Sequence, residues 1–208
     1  MRILLGITGA SGAAYGVRCA ALLLERGVDL HVLVSATGWQ ILAAEVGNGK
    51  VPGPPAARRR WLGRLIPSSR PFRLHAEDDF GIPFASGSNP PDAMIVAPCS
   101  TGTLGRIAHG VSSSVLTRCA DVVLKERRRL VLVVREMPLS VVHLENMLSL
   151  ARAGADVLPA CPGFYHRPKS VSELVDFVAS RALSRAGIEA GVLPRWGEKD
   201  AGAAEDTP

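Results

Sequence analysis

Short runs rich in Val, Ile and Leu alternate along this chain with longer stretches of helical periodicity, and that alternation limits the fold to a parallel sheet wrapped by helices. "RILLGIT" reads as a first strand and "GAAYGVRCAALLLERG" as the helix after it, closed by Gly27. "DLHVLVS" is a second strand, followed by a helix from Thr37 to Val46. Residues 48–71, rich in Gly, Pro and Arg, predict an irregular excursion with one helical turn near Trp61. "FRLH" is a short strand and "EDDFGIPFASGSNPP" a long loop, a length usually tied to function. "DAMIVAP", "LVLVV" and "DVLPA" are further strands; "CSTGTLGRIAHG" opens one helix and "SSSVLTRCADVVLKERR" forms another. Pro138 suits the first position of a helix running to Ala153. Ser170 and Glu173 make a capping box for a last helix, with Val171, Leu174, Val175 and Val178 on one face. The expected fold class is α/β, a single Rossmann-like doubly wound parallel sheet flanked by helices. One domain spans 1–187, and 188–208 is a C-terminal extension, largely disordered at its end.

Composition narrows the partners. With 208 residues the chain supports one sizeable core, and 47% apolar residues suit a packed globule or one that hides more surface in an oligomer. The formal charge of +5 suits small anions. Its basic runs, Arg58–Arg60 and Arg127–Arg129, lack interleaved aromatics and read as solvated surface, so nucleic acid is not an expected partner. The four cysteines form no C-x-x-C pair, which argues for reduced thiols rather than a zinc site or disulfide scaffold. No apolar run reaches the roughly 20 residues of a membrane span, and the N-terminus lacks a basic n-region. A soluble, cytoplasmic protein is expected.

"GITGASGAAYG", Gly6–Gly16, lies between the first strand and its helix, where free N–H groups of a helix start receive anions. The dinucleotide fingerprint is G-x-G-x-x-G with an acidic residue about 20 positions on. Here the spacing is G-x-x-G-x-x-G and the second strand ends at Ser35, so a mononucleotide fits better than NAD; a tight turn without ligand is the alternative. "PCSTGTLG", Pro98–Gly105, sets hydroxyls and glycines at a second helix start, a second cradle on the same sheet. Cys99 within it is either a nucleophile or a buried thiol; with no base beside it, the thiol is the better account.

Four segments, "GITGASGAAYG", "ASGSNPPDAMIVAPCSTGTL", "ADVVLKERRRLVLVVREMPLSVVHLENMLSL" and "PGFYHRP", occur in an order that resembles the UbiX-type flavin prenyltransferases. The resemblance runs from Arg2 to about Gly197, broken at 48–71. It implies a flavin-binding domain and a metal-independent transfer of a dimethylallyl group from dimethylallyl phosphate to N5 and C6 of reduced FMN. The product, prenylated FMN, would serve a UbiD-type decarboxylase. By the same resemblance Gly9, Ala10, Ser11 and Ser35 hold FMN at the first cradle, Ser100, Thr101, Gly102 and Thr103 at the second, and Arg135 contacts the flavin. Glu136 is the implied acid/base residue, with Ser11, Lys125 and Arg118 as further catalytic groups. Tyr165, Arg181, Arg118 and Lys125 would ring the leaving phosphate, and Phe80, where some relatives carry Trp, would face the allyl fragment. Ion pairing is the plain alternative for the charged groups, Glu136 with Lys125 or Arg118 included, and burial is the alternative for Tyr165 and Phe80. A homo-oligomer, by resemblance a dodecamer, is implied.

Glu77-Asp78-Asp79 has no second acidic cluster to face it and reads as solvated charge, and no histidine pair stands at a metal spacing. His166 stays open. Two rivals stand beside the prenyltransferase: an FMN-dependent decarboxylase acting on its own substrate, and a non-catalytic flavin-binding subunit. "PCSTGT" in place of the "PASANT" of flavin-dependent cysteine decarboxylases speaks against the first. Glu136, Lys125 and Tyr165 speak against the second, because flavin storage needs none of them.

Overall fold

The computed structural model describes residues 1–192. The expectation of a disordered end to the chain lies outside the described residues. Six parallel strands form one sheet: β1 (Arg2–Ile7), β2 (Asp29–Val34), β3 (Arg73–His75), β4 (Ala93–Cys99), β5 (Arg129–Val134) and β6 (Asp156–Pro159), in the order β3-β2-β1-β4-β5-β6. The order reverses between β1 and β4, and a crevice opens there beyond the strand ends. β1, β4 and β5 are almost wholly buried, which their continuous apolar runs require of strands covered on both faces.

The helices are α1 (Ala13–Glu25), α2 (Ala36–Glu45), α3 (Pro55–Leu65), α4 (Thr101–Ala108), α5 (Val115–Lys125), α6 (Val141–Arg152) and α7 (Val171–Arg185). One core joins α1, α2, α3 and α7 to the sheet, and Ile188 and Ala190 pack into it. The other lies under α4, α5 and α6.

Four local expectations need correction. The excursion at 48–71 holds an 11-residue helix, α3, rather than one turn. Pro54 and Pro55 suit a helix start, and Trp61 and Leu62 are buried in the core. α6 begins at Val141, not Pro138, because Ser140 and His143 form a reciprocal capping box that fixes its start. At α7 the Ser170 hydroxyl accepts from Glu173 N–H, but the Glu173 carboxylate accepts from Lys169 N–H, one residue short of a full box. Val171 lies on the face of Val178 but at the first position of α7, 76% exposed, beyond the packed part of that face. The long loop before β4 carries a 3-10 turn, Pro83–Ala85, that sinks Phe84 completely.

Candidate functional site

Both cradles stand at the crevice. Gly9 is required at the first: a Cβ there would come within 2.3 Å of the Thr37 hydroxyl. Gly12 caps α1 with φ 112, a left-handed conformation that favours glycine. The N–H groups of Gly9, Ala10 and Ser11 have no acceptor among the described residues, which leaves a cradle for an anion or a flavin edge. At the second cradle Ser100 caps α4, its hydroxyl accepting from Thr103 N–H at 3.3 Å. The buried Thr8 hydroxyl ties the two together, accepting from Ser100 N–H and donating to the Pro98 carbonyl, both at 2.8 Å. Ser35 caps α2, accepting from Gly38 N–H at 3.0 Å.

The end of β5 reaches both cradles. Arg135 Nε donates to the Ser11 carbonyl at 3.0 Å. Thr101 Oγ1 donates to Glu136 Oε2 at 3.2 Å, and Met137 N–H to Glu136 Oε1 at 3.2 Å. Glu136 therefore presents a carboxylate beside the second cradle. It pairs with neither Lys125 nor Arg118: their ion-pair partners are Glu126 and Asp121.

Glu45, at the last position of α2, is a site residue that the sequence did not reveal. Its Oε2 accepts from Gly12 N–H and Ala13 N–H, each at 2.8 Å. Burial works to raise its pKa, but hydrogen bonds from the Ser11 side chain and these two N–H groups, with the Arg135 charge, bring it below the ordinary value. A carboxylate thus sits at the α1 N-terminus and engages Ser11. Glu77, expected as solvated charge, has a comparable structural role: its carboxylate accepts from Ala36 N–H at the start of α2. Cys99 is fully buried and burial pushes its thiol up to about 12, so it is a core thiol and no nucleophile.

The remaining expected residues are spread over the chain. Lys125 ends α5 beside Gly87, in the loop whose Asn89 bonds Arg2 at the start of β1. That is the N-terminal end of the strands, opposite the cradles. Arg118, two turns earlier on α5, donates to the Ala85 carbonyl and to Asp121. Tyr165 follows β6 and meets the Phe177 ring of α7 edge-on at 5.7 Å. Arg181, four residues after Phe177, shares its helix face, and its Cβ tilts back toward that ring. Phe80 is half-exposed in the wall of a cavity of about 1150 Å³ shared with Trp39, His75 and Arg106, beside the second cradle. Among the described residues no group of three His, Cys, Asp or Glu is placed to hold a metal ion, and no helix is long and apolar enough to cross a membrane.

A sheet of this order, with two glycine- and hydroxyl-lined cradles at its switch point, defines a nucleotide-binding α/β protein. The family model "Flavoprotein" matches residues 1–183. A flavin prenyltransferase UbiX of Pseudomonas aeruginosa is 47% identical over 95% of this chain and 95% of its own. Among solved structures, AnUbiX (PadA1) in complex with FMN and dimethylallyl pyrophosphate is 36% identical, with TM-score 0.82 over 96% of this chain and 98% of that one. A dodecameric FMN-dependent UbiX-like decarboxylase from Escherichia coli is 38% identical, with TM-score 0.82 over 95% of this chain and 100% of that one. The chain belongs to the flavoprotein family, among its UbiX flavin prenyltransferases.

Proposed function

We propose that the chain transfers a dimethylallyl group from dimethylallyl phosphate to N5 and C6 of reduced FMN, yielding prenylated FMN. The observation that carries this is the end of β5, where Arg135 bonds the first cradle and Glu136 the second. The cradles fit FMN: they offer unpaired N–H groups, a gap at Gly9 that a Cβ would fill, and hydroxyls in place of a ribose-binding acid. Gly9, Ala10, Ser11 and Ser35 would hold it on one side, Ser100, Thr101, Gly102, Thr103 and Arg135 on the other. When bound and reduced, the flavin supplies the electron-rich atoms to which the prenyl group becomes attached.

The chain's own residues bind, orient and move protons. Glu136 Oε2, held by Thr101, takes up a proton released at the alkylated flavin edge. Glu45, through Ser11, orients that hydroxyl toward the same edge. Arg118, Lys125, Arg181 and Tyr165 hold the leaving phosphate, whose charge grows as its carbon–oxygen bond breaks. Phe80 offers a π face to the allyl fragment. Because Lys125 stands at the N-terminal end of the strands, opposite the cradles, a neighbouring copy supplies it, and the protein works as a homo-oligomer. The dodecamer named for the E. coli relative supports that state. The same reading has a UbiD-type decarboxylase receive the product in the cytoplasm.

Some relatives are named decarboxylases. The burial of Cys99 disfavours a thiol-based reaction at the second cradle. The test is to incubate the protein with reduced FMN and dimethylallyl phosphate in the presence of a chelator and weigh the flavin. A gain of one C5 prenyl unit supports the proposal; unchanged FMN refutes it.

A further inference from the structure

Among the described residues, the buried side-chain polar atoms without a hydrogen-bond partner are Nδ1 and Nε2 of His166 and Oγ of Ser180. An imidazole always has something to give: one nitrogen donates and the other accepts in the neutral ring, and both donate when charged. A native chain rarely leaves both closed off from water and unpaired. The His166 ring is fixed all the same. It stacks on Phe177 at 5.3 Å and 9°, and Tyr165 meets it edge-on at 5.7 Å. The turn that carries it is closed by Arg167 N–H on the Phe164 carbonyl, with Arg167 at φ 51, a left-handed conformation costly for a residue with a side chain. Ser180 lies three residues after Phe177 and Arg181 four, so both fall on the face of α7 against which these rings rest. A strained turn and three polar atoms lacking partners thus lie around Phe177, with Tyr165 against its ring and Arg181 one turn further along α7.

We propose that His166 is a further phosphate-binding residue, whose ring N–H completes its hydrogen bonding on a phosphate oxygen seated between Tyr165 and Arg181. The inference rests on the reading that Tyr165 and Arg181 hold the phosphate of the prenyl donor. Ligand-free, the imidazole is parked against Phe177; with phosphate bound, the strained 164–167 turn yields and the ring N–H reaches the anion. Phosphate binding is thereby coupled to the placement of Tyr165, next to it in sequence.

Full-length protein loaded with FMN is titrated with inorganic phosphate and with dimethylallyl phosphate, reading thermal shift and steady-state kinetics. His166→Phe keeps the stacked ring and removes both nitrogens. It is expected to weaken phosphate and raise the KM for the donor roughly tenfold, the scale of one lost hydrogen bond to a charged group, with kcat within about twofold. Its ligand-free melting temperature should not fall, because unpaired buried polar atoms have been replaced by an apolar ring. His166→Gln, which retains an N–H at the Nε2 position, should restore affinity to within about threefold. Unaltered phosphate binding and KM in His166→Phe, while Tyr165→Phe and Arg181→Ala lose both, would overturn the proposal and leave His166 as packing. Unaltered phosphate binding in the Tyr165 and Arg181 variants would instead overturn the phosphate site itself. If His166→Phe fails to fold, a phosphate-soaked structure of the wild type decides: a His166 nitrogen within about 3.2 Å of a phosphate oxygen supports the proposal, and both nitrogens still unpaired refutes it.

Discussion

Two carboxylates at the crevice do different work, and substitution separates them. Glu136→Gln keeps the Thr101 contact in shape but removes the acceptor for a proton, so prenyl transfer should slow by about 10²-fold with FMN affinity nearly unchanged. Full turnover in that variant, measured by flavin mass, would take Glu136 out of its role. Glu45 also bears on stability, since its charge meets the N-terminus of α1. Glu45→Ala should cost about 0.5–1 kcal/mol in urea unfolding at neutral pH, as for an exposed helix cap. Because its folded pKa is depressed, that contribution is present above the ordinary carboxyl value and disappears as pH falls through the folded one; wild type and variant should converge in acid. The two differ in how visible they are in sequence. Glu136 follows the strand "LVLVV" directly and its motif is contiguous. Glu45 bonds N–H groups 32 and 33 residues away, a pairing set by how α2 packs against α1 and carried by no local pattern.

At the scale of elements, the edge of the sheet carries a titratable joint. His31 Nδ1 and His75 Nε2 stand 2.7 Å apart across β2 and β3, with Phe84 edge-on to His31 and Arg2 over the Phe84 ring. Burial lowers the pKa of both; His75 and Arg73 push His31 further down while Asp29 opposes, and for His75 Asp79 opposes and Arg73 assists. The unfolded chain therefore binds more protons than the folded one as pH passes from the ordinary histidine value to the lower folded values, and stability should decline as pH falls from 7.5 to 5.5. His75→Gln should show a shallower decline in melting temperature over that range; an equal slope would remove the pair as its cause. A second element is unusual for its outward face. On α6 Val141, Val142, Leu144 and Leu148 are each at least half exposed, just after Met137 at 86%. Leu144→Asp should leave the fold intact, because half of the residue faces outward in one chain, yet reduce the oligomer in light scattering and with it activity. The sheet strands were plain in the sequence because their apolar runs are continuous. α3 was not, since its arginines and flanking prolines mask the two residues, Trp61 and Leu62, that bind it to the core.

For the whole molecule, one chain gathers the cradles, Arg135 and Glu136 at the C-terminal strand ends and leaves Lys125 at the N-terminal ones, tied to Glu126. No sequence pattern discloses that separation, because residues 11 positions apart on α5 and β5 look adjacent until the strand is traversed. Prenyl transfer is expected to occur between copies, with flavin held by one and phosphate charge met by another. Co-assembled oligomers of Glu136→Gln and Lys125→Ala, each strongly impaired alone, test this most directly. If the two residues serve one site from different copies, mixed assemblies contain some sites with both native residues. Prenylated FMN should then reappear at a fraction of the wild-type rate set by the mixing ratio. Mixed assemblies no faster than the separate variants would contradict this and return Lys125 and Glu136 to a single chain.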